Sequence, residues 1–243
     1  MIPAVTTEQM REVDRLAVEE YVIQIIRMME NAGRNLAELS RRLLKQPVPG
    51  SKIIVAAGSG NNGGGGLVCA RHLSNWGADV TILLASGSLT AAAELQMKIL
   101  RKLPIQIFAG KDATSYFSDW SAALVIDCLI GYGLKGTPRD WAAQMIRMAN
   151  NISSLKIALD TPSGLDSTSG EIYNPCFKAD ATMTLALPKT GLTAPKASEV
   201  AGTVYLADIG LPPTLYRELG LEVESIFHAE TIIDLSILNE GLL

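Results

Sequence analysis

The sequence contains very little histidine and cysteine. Among its 243 residues are only 2 histidines and 3 cysteines, and Cys69, Cys128 and Cys176 lack the close spacing of metal ligands. We therefore expect no zinc or iron centre built from these residue types. The scattered cysteines also do not form a disulfide framework, so we expect three reduced, buried thiols and a cytoplasmic protein.

Blocks of basic residues and long apolar runs are absent too. The net charge is −4 and no basic cluster occurs, which argues against binding to nucleic acid. No stretch reaches about 18 uninterrupted apolar residues, so we expect no membrane span. Glu8, Glu12 and Asp14 give the start of the chain an acidic character, which is unlike a secretory signal.

The composition that remains favours one large α/β domain. With 48% hydrophobic and 19% charged residues, the chain can bury an ample core, and we expect residues 1–243 to form a single domain. No internal repeat or low-complexity linker divides the sequence.

The most distinctive stretch is rich in glycine and runs from Gly58 to Gly66. It follows an apolar, β-branched run and precedes a helical pattern that begins at Leu67, so we predict a strand, a loop and a helix. Gly58, Gly60 and Gly63 match a dinucleotide-binding fingerprint only loosely. Such a loop before a helix N-terminus is suited to an anion such as a phosphate, although it could also be a plain tight turn.

The rest of the chain alternates between strand and helix patterns. The near-continuous apolar runs predict strands buried on both faces, as in a parallel sheet covered by helices. We expect a doubly wound α/β fold, with strands in the order 3-2-1-4-5 and an N-terminal helical arm. The predicted strands are 52–57, 80–85, 105–108, 124–129, 156–160, 181–186 and 203–207. The predicted helices are about 7–20, 25–44, 67–76, 91–103 and 138–150.

Polar residues follow the predicted strands that flank the switch point of such a sheet. Asp127 lies at the end of the fourth strand and is either a cap or a cation ligand, since Asn62 and Ser163 follow neighbouring strands. Asp160 ends the fifth strand and is either a turn residue or a group tuned for proton transfer. Because ligands of these folds bind at the carboxyl ends of the strands, we expect one crevice there.

Three further residues have two open interpretations each. Lys135 and Lys189 lie on crevice loops and either contact phosphates or are solvated surface lysines. His72 lies within the helix after the glycine-rich stretch, where a structural, hydrogen-bonded role is favoured over a catalytic one. No G-x-S-x-G motif is present, so a hydrolase triad is not expected.

These motifs, in this order, resemble the YjeF N-terminal domain family, whose enzymatic members are NAD(P)H-hydrate epimerases. The resemblance covers about residues 6–211. The segments that carry it are 30–33 (Glu-Asn-Ala-Gly), 60–64 (Gly-Asn-Asn-Gly-Gly), 67–73, 125–127 (Val-Ile-Asp) and 160–166 (Asp-Thr-Pro-Ser-Gly-Leu-Asp).

The resemblance implies a Rossmann-like three-layer α/β/α sandwich with a mostly parallel sheet, a homodimer, and interconversion of the R and S forms of 6-hydroxylated NADH and NADPH (NADHX and NADPHX). A separate dehydratase that accepts the S form would be the pathway partner. The resemblance also implies a potassium ion on Asn62, Asp127 and Ser163, and Asp160 as the acid or base. The implied substrate-binding residues are Asn61, Asn62, Gly63, Gly64, Gly65, Gly131, Tyr132, Gly133, Leu134, Lys135, Gly136, Thr137 and Asp160.

One position departs from the family pattern. The loop usually reads Asn-Asn-Gly-Gly-Asp-Gly, and here Gly65 replaces the aspartate. Two hypotheses follow: an active epimerase, or a catalytically weakened member that binds a nucleotide-like ligand or a protein. An ordinary NAD dehydrogenase is a third and more distant reading, because residues 84–86 (Leu-Ala-Ser) offer no ribose-binding acid after the second strand.

Overall fold

The computed structural model describes residues 2–116 and 121–236. The single domain expected over 1–243 thus includes residues 1, 117–120 and 237–243, which lie outside the described residues. In the ranges that are described, every helix is either too short or too polar to cross a bilayer.

Helices and strands alternate along most of the chain. The helices are α1 (Thr7–Glu19), α2 (Ile25–Leu43), α3 (Asn61–Asn75), α4 (Ala91–Leu100), α5 (Gly110–Tyr116), α6 (Asp140–Asn151), α7 (Ser198–Ala201) and α8 (Pro213–Glu218). The strands are β1 (Lys52–Ala57), β2 (Asp79–Leu84), β3 (Gln106–Ala109), β4 (Leu124–Cys128), β5 (Leu155–Leu159), β6 (Ala181–Leu185), β7 (Thr203–Ala207) and β8 (Ile232–Asp234).

The eight strands form one sheet in the order β3-β2-β1-β4-β5-β6-β7-β8. All neighbouring pairs are parallel except β7 and β8, which are antiparallel. The expected order 3-2-1-4-5 is confirmed. The switch point lies between β1 and β4, where Ala57 pairs with Cys128.

Both faces of the sheet are covered by helices, as the apolar strands predicted. Along β1, Ile53 and Val55 pack with the core under α2, α3 and α4, whereas Ile54 and Ala56 pack with the core under α6. This alternation is the period-2 pattern of a pleated strand. The result is a three-layer α/β/α sandwich, and the prediction of that fold class is confirmed.

The glycine-rich stretch is a loop only at residues 58–60, so the loop is shorter than predicted. Helix α3 begins at Asn61, six positions before the predicted start at Leu67, and includes the buried run Gly63–Gly66. A Cβ atom on Gly63 would lie 2.0 Å from the carbonyl oxygen of Gly58, and one on Gly66 would lie 2.7 Å from Cys128. Packing against backbone and sheet therefore outweighs the low helix propensity of glycine.

The N-terminal arm consists of α1 and α2. Thr6 caps α1 through the predicted capping box with Gln9, and that prediction is confirmed. Gly33 permits the expected close contact, because a Cβ atom there would lie 2.4 Å from Val68 Cβ on α3. The apolar faces of α1 and α2 share a core with α8 that places both helices beside the ends of the central strands.

Six short elements of the described residues were not predicted: α5, α7, α8, β8 and the 3₁₀ helices Thr190–Thr193 and Pro195–Ala197. Each has seven residues or fewer, so none carries enough periodic pattern to be identified from sequence. Strand β8 lies at the edge of the sheet, and α8 packs in the core that it shares with α1 and α2.

Candidate functional site

A cavity of about 520 Å³ opens at the carboxyl ends of the central strands. Its lining comes from the residues that follow β1, β4, β5 and β6, as the crevice prediction required. The remaining wall is supplied by α1 and α2, including Met10, Asp14 and Met28. The site is therefore a pocket between the sheet and the N-terminal arm, whose volume suits a small ligand or part of a larger one.

The cavity holds a buried ion pair. Asp160 is 3% exposed and Lys189 is 0% exposed, and Lys189 Nζ lies 2.5 Å from Asp160 Oδ1. Lys189 also donates to the Leu185 carbonyl oxygen at 2.7 Å. The interpretation of Lys189 as a surface lysine is wrong, whereas a contact with phosphate stays a prediction. Lys189 compensates the charge of a carboxylate across the β5–β6 pair.

The backbone aims the Asp160 carboxylate into the cavity. Asp160 has a positive φ of 69°, which is uncommon outside glycine and marks a constrained position. Its backbone N–H donates to the Met183 carbonyl oxygen at 2.7 Å. The Tyr132 backbone N–H donates to Asp160 Oδ2 at 3.0 Å. Two neighbouring strands and the loop after β4 thus hold this carboxylate in one orientation.

A second carboxylate reaches the cavity from α1. The Tyr132 hydroxyl donates to Asp14 Oδ2 at 2.5 Å. Burial raises the pKa of Asp14, although the Tyr132 hydrogen bond opposes part of that change. Burial, followed by the nearby charge of Asp14, raises the pKa of the Tyr132 hydroxyl. Tyr132 therefore links Asp14 to Asp160, through its side chain on one side and its backbone on the other.

A third carboxylate, Asp127, lies at the end of β4 and is 0% exposed. Ser163 donates to it twice, from the hydroxyl to Oδ1 at 2.7 Å and from the backbone to Oδ2 at 2.7 Å. Burial raises the pKa of Asp127 to about 6, and these hydrogen bonds limit that rise. Within the described ranges Asp127 forms no ion pair with a basic side chain.

The surroundings of Asp127 fit a hard cation. Ser163 Oγ accepts from the backbone N–H of Ile130 at 2.8 Å. Ile130 is followed by Gly131, and a Cβ atom on Gly131 would lie 3.0 Å from the side-chain amide of Asn62. Ser163 and Asn62 therefore lie beside two consecutive residues of the loop after β4. Asn62 Nδ2 is buried without a partner in the described part of the chain. Since amide oxygen and nitrogen are assigned by their partners, this amide can present its oxygen. The three residues then offer an all-oxygen set.

The structure brings together only part of the predicted substrate-binding set. The residues of that set that line the cavity are Asn61, Asn62, Gly65, Gly131, Tyr132, Gly133 and Asp160. Gly63 packs against the Gly58 backbone, and Gly64 packs against Met29 and Ala93. Leu134, Lys135, Gly136 and Thr137 lie beyond the lining, and Lys135 is exposed.

Two other predictions concern residues outside the cavity. His72 Nε2 lies 2.9 Å from Glu30 Oε1, which confirms the structural, hydrogen-bonded role. Cys69, Cys128 and Cys176 are free and buried, as expected of reduced core cysteines. Within the described ranges, His, Cys, Asp and Glu form no group of three or more able to hold a metal ion.

Asp14 lines the cavity but is not among the site residues predicted from the sequence. Asp14 lies four positions after buried Met10 and three before buried Ala17. Residues at those spacings share one face of a helix. A carboxylate on the apolar face of α1 was therefore an available signal, because such a group needs a buried partner.

Comparison with known proteins identifies a matching family and several relatives. The model of the family "YjeF-related protein N-terminus" matches residues 26–191. An NAD(P)H-hydrate epimerase of Dehalogenimonas lykanthroporepellens is 40% identical, covering 91% of this chain and 87% of the relative. An NAD(P)H-hydrate epimerase of Rhodopirellula baltica is 36% identical, covering 90% and 89%.

The chain is also similar to part of a longer enzyme and to a solved structure. The bifunctional NAD(P)H-hydrate repair enzyme of Moorella thermoacetica is 37% identical over 87% of this chain, which spans 41% of that enzyme. The crystal structure of a yeast protein superposes with a TM-score of 0.83, covering 96% of this chain and 100% of the yeast chain. Its sequence identity is 21%, so this likeness supports the fold alone.

Proposed function

The chain belongs to the YjeF-related protein N-terminus family, and on that premise we propose that it is an NAD(P)H-hydrate epimerase. This isomerase interconverts the R and S forms of NADH and NADPH that carry a hydroxyl group on C6 of the nicotinamide ring. Relatives of similar length bear that name. The observation that carries the proposal is the buried Asp160–Lys189 pair in the cavity at the switch point of the sheet.

The cavity supplies the elements that this reaction needs. Asp160 exchanges a proton with the oxygen on C6, and Lys189 compensates its charge while the surrounding walls restrict water. The N-terminus of α3 at Asn61 and Asn62 borders the cavity and presents backbone N–H groups to a phosphate of the substrate. No separate redox cofactor is required, because the reaction changes only the configuration at C6.

The direct test is epimerisation by the purified protein. The R form of hydrated NADH is supplied in potassium buffer, and the S form is separated by chromatography and followed over time. Conversion well above the spontaneous rate is expected. Asp79→Asn is a suitable control for variants of the site, because Asp79 is exposed at the amino end of β2, away from the cavity. Conversion no faster than the spontaneous rate would remove the proposal.

We further propose that potassium binds Asn62, Asp127 and Ser163, where it would supply a positive charge beside the cavity. Replacing choline chloride by potassium chloride at equal ionic strength should raise the melting temperature by a few degrees, because a ligand of the native state stabilises it. Ser163→Ala should abolish this response. Ser167→Ala, which also removes a buried hydroxyl, should retain it. Equal responses in wild type and Ser163→Ala would contradict the assignment.

The aspartate of the family pattern can be introduced at position 65, where this chain has glycine. A Cβ atom on Gly65 would lie 2.9 Å from Leu159 Cδ2, the end of a flexible side chain. Gly65→Asp combined with Leu159→Val should therefore fold, because valine lacks that atom. We expect kcat/KM to rise by about 10- to 150-fold, since one hydrogen bond to a charged group is worth about 1.5–3 kcal/mol.

The matched control for that variant is Gly65→Asn/Leu159→Val, which adds similar bulk without charge and should show a smaller gain. An unchanged kcat/KM in the aspartate variant, with an unchanged melting temperature, would show that a carboxylate at this position has no partner in the substrate. Wild-type activity in the same assay would argue against the weakened, binding-only alternative.

The remaining expectations concern partners and location. We propose that a separate NAD(P)H-hydrate dehydratase consumes the S product. The bifunctional relatives support this proposal, and the chain spans only about two fifths of their length. We also propose a cytoplasmic homodimer that does not bind nucleic acid or membranes. Light scattering on the purified protein would distinguish a dimer from a monomer.

A further inference from the structure

The cavity contains two carboxylates, one paired with a cation and the other with a neutral hydroxyl. Asp160 faces the buried ammonium group of Lys189 at 2.5 Å. Asp14 instead accepts a hydrogen bond from the neutral hydroxyl of Tyr132. Pairs of acids whose surroundings favour different protonation states are the usual basis for dividing acid and base roles within a site.

From this juxtaposition we propose that Asp14 is a catalytic residue, the general acid that protonates the departing C6 hydroxyl, and that Asp160 is the matching base. The inference rests on the proposed epimerase function. Asp14 lies outside the residues 26–191 that the family model matches, and it lines the cavity together with Asp160. Its Oδ2 accepts the Tyr132 bond, so the proton is assigned to Oδ1.

The proposed step breaks and reforms the C6–O bond. The Asp14 proton moves to the C6 hydroxyl, which leaves as water with the electrons of the C6–O bond. The lone pair of the ring nitrogen N1 forms a C6=N1 double bond and a cation. A second water then adds to the other face of C6, the π electrons return to N1, and Asp160 takes the proton of that water. Solvent returns one proton to Asp14 and removes one from Asp160.

Burial, hydrogen bonding and nearby charges together determine the pKa of Asp14. Burial raises its pKa most, and the charge of Asp160 raises it further, whereas the Tyr132 hydrogen bond and the charge of Lys189 lower it. The titratable groups facing Asp14 are Arg11 from α1, Tyr132, Asp160 and Lys189 from the strand ends, and Tyr216 from α8. Loss of the Tyr132 hydroxyl should therefore raise the pKa of Asp14 further.

The test measures kcat, KM and the pH profile of R-to-S conversion of hydrated NADH. Asp14→Asn should lower kcat by about 10²–10⁴-fold and leave KM within about threefold. It should also remove the fall in rate that we expect for wild type as the pH rises through the pKa of Asp14. Tyr132→Phe should move that fall to higher pH. Glu12→Gln, a matched change on the same helix with its partner Arg15 in solvent, should behave as wild type.

An isotopic measurement tests the bond that breaks. In water enriched in oxygen-18, the S product should carry the label at C6, because the departing oxygen is replaced by solvent. A folded Asp14→Asn with wild-type kcat and an unchanged pH profile would overturn the role of Asp14. An unlabelled S product would overturn the C6–O step. Both outcomes require an active wild type, so they are distinct from failure of the proposed function.

Discussion

Replacing Lys189 by methionine is expected to destabilise the protein by about 3–5 kcal/mol, because it leaves the charge of Asp160 buried without a counter-ion. Lys189 is 0% exposed and Asp160 is 3% exposed, so solvent cannot screen the remaining carboxylate. Asp160→Asn should cost stability for the converse reason, since it leaves a buried ammonium group. Both effects are measured by urea denaturation, as the change in midpoint and in free energy of unfolding.

The double variant Asp160→Asn/Lys189→Met separates stability from chemistry. Removing both charges should recover most of the lost stability, since a neutral pair of similar size often replaces a buried ion pair without cost. Asparagine also tolerates the positive φ of 69° at position 160, so the backbone is preserved. Epimerisation should nevertheless stay about 10²–10⁴-fold below wild type, because the base is absent. A folded double variant with wild-type turnover would exclude Asp160 from the reaction.

The central part of the fold follows from local sequence pattern. Strands β1, β4 and β5 are short and mostly apolar runs, and their length and continuity identify buried parallel strands. The order of the strands then follows from the usual topology of doubly wound sheets. That order brings Asp127, Asp160 and Ser163 to one edge, so their proximity was predictable without any knowledge of side-chain contacts.

The ion-pair and hydrogen-bond partners of the buried polar side chains could not be predicted from the sequence. Lys189 lies 29 positions after Asp160, and nothing in its local sequence distinguishes a buried ammonium group from a solvated one. Asp14 and Tyr132 are 118 positions apart in the chain, so their contact depends on how α1 packs against the sheet. Patterns along the chain report which faces are apolar, whereas pairing across elements is fixed by tertiary packing.

The start of α3 was misplaced for a related reason. Glycine is a poor helix former, costing about 1 kcal/mol against alanine per residue, so the glycine-rich stretch indicated a loop. In the structure residues 61–66 are helical, and larger side chains at the glycines among them would not fit between α3, α2 and the β1–α3 turn. Tertiary contacts there override intrinsic propensity, and a substitution can test that explanation.

Gly63→Ala is expected to destabilise the fold by more than about 4 kcal/mol, or to prevent folding. Its Cβ atom would lie 2.0 Å from the carbonyl oxygen of Gly58 and 2.8 Å from the carbonyl carbon of Gly58. Both are backbone atoms, so no change of rotamer relieves the clash, and the β1–α3 turn must move. The melting temperature by circular dichroism and the recovery of soluble protein are the measurements.

Gly60→Ser provides the matched control three positions earlier. A Cβ atom there has nothing within 4 Å, and φ of −87° suits any residue. Serine at this N-cap should leave stability unchanged or raise it by a few tenths of a kcal/mol. If Gly63→Ala instead has the melting temperature of wild type and loses only turnover, Gly63 is needed for binding the ligand and not for packing. The substrate-binding role that the family resemblance implies for Gly63 would then be favoured over a role in packing.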